Sequence, residues 1–177
     1  MSPKAVALAL TLLSAAAASL ALGKTSAQGA VTAPAAVQEL AGQNPPAYYR
    51  RADELFKEGK KDDAVFVLYL GQLHFRTYLL THRDPDQSQA PAMFATLSQV
   101  IGKPITQYAF GDIPALARTI DAVLAYDAAH PDSVSAPTES ADVHEDVRKG
   151  LAAMKVKMLS EAARIHAQRE KSGLENR

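Results

Sequence analysis

Apolar residues recur every three or four positions through most of this chain, and that period predicts helices. Tyr48, Ala52, Leu55 and Phe56 form one stripe behind Asn44-Pro45-Pro46, where Asn44 can cap a helix whose first positions need no backbone donor. Gly59 ends it. A second helix is expected over residues 62–81. Its stretch 64–70 is apolar enough for a strand, but Leu73, Phe75, Tyr78, Leu79 and Leu80 carry the pattern well past strand length. A helix apolar on nearly every face belongs at the centre of a fold, and Gln72, His74 and Arg76 exclude a membrane span.

Pro91 opens a third helix with a stripe of Met93, Phe94, Leu97, Val100 and Ile101, which Gly102 and Pro104 are expected to end. An irregular segment, 103–111, should follow. Asp112 then caps a fourth helix, whose Ile113, Leu116, Ile120, Val123 and Leu124 face inward until His130-Pro131. The last helix is expected over residues 139–169, with Val143, Val147, Leu151, Met154, Met158, Ala162 and Ile165 on a single face. Its other side is solvated, and Glu145 there is placed to pair with Lys149. Five helices without a strand predict an all-α, single-domain bundle around the second helix.

The N-terminal residues follow another pattern. Lys4 precedes an alanine- and leucine-rich run from Ala5 to Leu22, and the small residues Thr25, Ser26 and Ala27 close it. This order predicts an export signal over residues 1–27, cleaved after Ala27. Its style resembles exported proteins of Gram-negative bacteria, which places the remainder in the periplasm. The alternative is a retained inner-membrane anchor, since the run nears the length that spans a bilayer. Residues 28–43 then read as a tether or a short, loosely held helix, residues 44–171 as the helical domain and residues 172–177 as a polar tail.

Composition narrows the classes. The chain has no cysteine, so packing without disulfides must hold an exported domain together, and a lipid anchor on cysteine is excluded. About 150 residues remain after cleavage, enough for one core. Nineteen basic residues match nineteen acidic ones, and loss of Lys4 and Lys24 leaves a charge near −2. That balance opposes nucleic acid and anionic lipid as partners; a membrane enters only if the N-terminal segment is retained.

Motifs for chemistry are sparse. The chain holds no nucleophile elbow, glycine-rich phosphate loop or paired-histidine zinc helix, so neither a metal nor a cofactor is expected. His144-Glu145 starts like a zinc helix, but Arg148 stands where the second ligand belongs, so a solvated first turn is expected. Asp84, Asp86 and Ser88 open like a calcium loop, yet Gln89 and Ala95 replace its glycine and closing glutamate.

Tyr48, Ala52, Leu55, Gly59, Ala64, Leu68 and Gly71 stand at spacings that resemble a tetratricopeptide repeat, in which small residues let two antiparallel helices approach. The resemblance covers residues 45–76 and departs from the family at Arg51 and Arg76. It implies protein or peptide binding without catalysis.

Candidate functional residues fall in three places. Tyr49 and Arg50 are expected to lie partly outward beside the core-facing Tyr48. In the segment 105–112, Tyr108 and Phe110 either plug one end of the bundle or face a partner, with Asp112 as the helix cap. His74 is expected to be a buried histidine hydrogen-bonded within the core; if the bundle instead holds a small ligand or an active site, His74, Arg76 and Tyr78 are the residues expected to line its cavity. The reading that follows is an exported, non-enzymatic protein-interaction module of the inhibitor, immunity or adaptor kind. The alternatives are a periplasmic ligand-binding protein or enzyme, and a membrane-tethered component.

Overall fold

The computed structural model describes residues 30–82, 89–132, 134–135 and 140–177. The expected export signal and the Asp84 to Ser88 turn lie outside these residues. The described residues are all-helical: α1 (Pro45–Lys57), α2 (Lys61–Thr81), α3 (Ala90–Leu97), α4 (Lys103–Ala109), α5 (Ile113–Ala129), α6 (Ala141–Ser160) and α7 (Ala162–Lys171), preceded by a 3-10 turn at Ala35–Leu40. No strand occurs among them.

Among the described residues seven helices stand where the sequence predicts five, for two reasons. The segment expected to be irregular is helical: α3 runs through a π turn, Ser98–Gly102, directly into α4. Proline in an α-helix strikes the carbonyl one turn back, and a wider turn just before Pro104 lets the chain continue. The long last helix breaks at Glu161, whose φ of −105° and ψ of 9° leave the α region. This break turns α7 toward the end of α4, where Arg169 donates to Gln107 O at 2.8 Å.

α2 is the axis. Residues 64–71 are all buried, and α1, α3, α4, α5 and α6 pack on it. The turn from α1 is closed at Gly59 (φ +83°), with Gly59 N bonded to Phe56 O and Lys60 N to Leu55 O. α1 and α2 form an antiparallel hairpin held close by small residues. A Cβ added to Gly71 would stand 2.5 Å from Tyr48 Cβ, so only glycine permits this approach.

Asn44 occupies the position before α1 without a side-chain capping bond, whereas Asp112 caps α5 by accepting from Ala115 N at 2.9 Å. The stretch before α1 is docked: Val37 and Leu40 are buried, and Tyr48 Oη donates to Leu40 O at 3.0 Å. Residues 172–177 are docked as well. Arg177 N bonds Gly111 O, and the Arg177 guanidinium stands 3.6 Å over the Tyr108 ring.

Candidate functional site

Three features could carry function: a buried charged cluster, the aromatic residues of α1 and α4, and an open groove beside α2.

The cluster centres on Asp127, whose side chain is fully buried at the end of α5. Its Oδ1 lies 3.0 Å from His74 Nε2, and its Oδ2 lies 2.8 Å from both His144 Nε2 and Arg148 Nη1. Arg148 also donates to Leu124 O at 3.2 Å. Thr77 donates to Leu73 O, and its hydroxyl oxygen lies 3.0 Å from His144 Nδ1. Asp132 Oδ2 stands 3.3 Å from His74 Nδ1, and neither atom has a hydrogen-bond partner among the described residues. Burial pushes the Asp127 carboxyl up, but the bonds from His144 and His74 outweigh it and hold the group well below the ordinary carboxylate range.

This arrangement joins α2, α5 and α6 by charge-assisted bonds. It presents nothing to a substrate, because His74 is 3% exposed and both its nitrogens face carboxylates. His144 is thus not the solvated residue expected from sequence: α6 lies on α2 through its first turn, which leaves His144 and Arg148 partly buried against Asp127. Sequence reading passed over Asp127. Its signal is its place on the inward stripe of α5, one turn beyond Val123.

The ligand-cavity residues do not converge. His74 is locked in the cluster. Arg76 is exposed at the α2–α6 cleft, and Tyr78 lines a separate cleft of about 350 Å³ with Pro45 and Phe75 while stacking on His82. Tyr49, expected partly outward, is fully buried. α1 is sandwiched between α2 and α3, so both Tyr48 and Tyr49 find cover; Tyr49 meets Phe75 and Phe94 edge-on and hydrogen-bonds Ser98. Arg50 is exposed and Asp112 is spent as the cap.

Residues 105–112 divide their roles. Ile105 and Ala109 enter the core. Tyr108 is half-buried edge-on to Phe56, donates to Asp62 Oδ1 at 3.0 Å, and has Lys61 and Arg177 over its ring. Burial and then the Asp62 carboxylate push its phenol up. Phe110 is half-buried and turned to the groove.

That groove, about 600 Å³ in volume, runs between the α3–α4 arm and α7. Ser98, Gly102, Thr106 and Phe110 form one wall, and Ile165 and Arg169 the other, with Lys103 at the rim. Beside it, α2 and α6 leave a cleft of about 370 Å³ under Leu79, Leu80 and Val147, floored by Arg76 and Gly150. The cleft deepens to Tyr69, Gln72, Leu151 and Met154. Gln72 of the cleft neighbours Gly102 of the groove wall, its amide nitrogen lying 3.8 Å from the Cβ position of Gly102. Their linings carry Arg76, Lys103 and Arg169 and no carboxylate.

No family model matches the chain, and no curated protein or solved structure matches it.

Proposed function

We propose that this chain is an exported, non-enzymatic protein-interaction module of the inhibitor or adaptor kind, acting in the periplasm through the groove between the α3–α4 arm and α7. The carrying observation is that open groove of about 600 Å³, apolar along its walls and built over a π turn. π turns inside helices recur at functional sites because they displace side chains from the regular helical register. The resemblance of the α1–α2 hairpin to a tetratricopeptide unit points the same way. Export rests on the pattern of residues 1–27. A small-ligand site at His74 has less support, since that imidazole is committed to Asp127 and Asp132.

The test is capture of the tagged protein from the envelope of its own host, with brief crosslinking and mass spectrometry. One stoichiometric partner is expected, lost in Phe110→Ala at nearly unchanged melting temperature and in Ile165→Ala, which also loosens α7. A partnerless protein, or a partner indifferent to both changes, would refute the groove as its binding surface. Intact-mass measurement on the same sample checks cleavage after Ala27.

A further inference from the structure

Resting on that interaction reading, we infer that the groove and its adjoining cleft receive an amphipathic helix of a partner protein whose apolar face is bordered by carboxylates, with Arg76 as the anchoring cation. The chain as a whole balances nineteen basic against nineteen acidic residues, yet the linings here hold three cations and no carboxylate. Such segregation is what an acidic partner complements.

The floor adds polar groups without protein partners. Tyr69 is 3% exposed and lines the cleft, but neither it nor Gln72 or Arg76 has a hydrogen-bond or ion-pair partner among the described residues. The Tyr69 hydroxyl borders the cleft and has a donor to offer an acceptor there. Burial pushes its phenol well up, which keeps that proton in place. Around these groups lie Leu79, Val147, Leu151 and Met154, the kind of surface that takes the apolar face of a helix.

An extended peptide fits less well. Its main chain would need partners from a strand edge, and the described residues contain no strand; a helix satisfies its own backbone. The chain's own N-terminal segment also has the wrong charge, because residues 1–27 include Lys4 and Lys24 and no Asp or Glu.

The test uses three labelled helical peptides of about eighteen residues, long enough to hold a helix, built from Leu with Glu, Gln or Lys. Binding to the full domain is followed by fluorescence anisotropy. The Leu/Glu peptide is expected to bind at least tenfold tighter than the Leu/Lys peptide. Arg76→Gln should lower its affinity about tenfold, as befits one desolvated ion pair of about 1.4 kcal/mol, and Tyr69→Phe should lower it by less. Arg76 is exposed, so the fold should tolerate its loss. Gly150→Leu, which adds bulk where a Cβ meets nothing within 4 Å, should block all binding without unfolding α6.

Equal binding of all three peptides, or a Glu preference that survives Arg76→Gln, overturns the acidic assignment while leaving the groove as an interaction surface. No peptide binding overturns the helix as occupant. A native partner captured equally by wild type, Gly150→Leu and Phe110→Ala would remove the groove reading itself. Dimerisation abolished by Arg76→Gln would assign a second copy instead and likewise overturn the proposal.

Discussion

Asp127, its own side chain fully buried, receives three charge-assisted bonds. Removing one member of such a group strands the others: Asp127→Asn should cost about 3–5 kcal/mol, read as a lower urea midpoint. Its pH dependence has a definite sign. The folded carboxyl lies below the unfolded value of about 3.9, so its stabilisation is complete above that value and is lost as pH falls toward the folded one. Wild type should therefore lose stability more steeply than Asp127→Asn below about pH 4; parallel curves would show that the carboxylate does not carry the effect. Gly71 makes a steric demand instead of an electrostatic one. A methyl group there would sit 2.5 Å from Tyr48 Cβ, so Gly71→Ala should cost about 1–3 kcal/mol by overpacking. An unchanged thermal midpoint would mean that α1 can step back freely. Gly71 was legible, as a small residue at a helix contact. The partners of Asp127 were not, because sequence spacing orders residues along one helix and does not show which faces of α2, α5 and α6 meet.

Helix existence was legible wherever an apolar stripe and a start signal agreed, as at Pro45 and Asp112. Boundaries failed where local breakers met tertiary demand. Gly102 and Pro104 look like a stop, yet Ile105 and Ala109 gain burial only if the helix continues, and the π turn makes room for the proline. The opposite happened at Glu161: the stripe is continuous, but docking Arg169 on Gln107 requires a bend. Two glycines illustrate how element context sets the sign of a substitution. Gly150 lies inside α6 with open space around its Cβ position, so Gly150→Ala should stabilise by about 0.5–1 kcal/mol through lower backbone entropy in the unfolded chain. Gly59 has equally open surroundings but a φ of +83°, so Gly59→Ala should instead destabilise by about 1–2 kcal/mol. Chemical denaturation of the pair checks both signs, and a shift in the same direction for both would refute this account.

The fold combines a well-buried axis with a lightly attached last helix, α7. The all-α class and the central place of α2 followed from hydrophobic pattern, since a helix apolar on every side has nowhere else to go. The groove did not follow, because it is a space left between elements and none of its walls has an unusual sequence. Burial falls off sharply across the molecule: α2 has twelve buried residues, α6 has Met158 alone and α7 has none. α6 is compensated at its start by His144 and Arg148 on Asp127. α7 depends on partly buried Ile165 and on Arg169, which reaches Gln107 O and Glu175 O. Opening free energies should follow that order, because local unfolding costs least where few apolar contacts are lost. Native-state hydrogen exchange is expected to release α7 amides first and the middle of α2 only on global unfolding. Arg169→Ala should accelerate α7 further without changing α2. An occupant seated between Phe110 and Ile165 binds only while α7 is docked, so the Leu/Glu peptide should slow α7 exchange selectively. Protection of α7 equal to that of α2 in the free protein would contradict this gradient and make the groove a fixed surface in place of one with a movable wall.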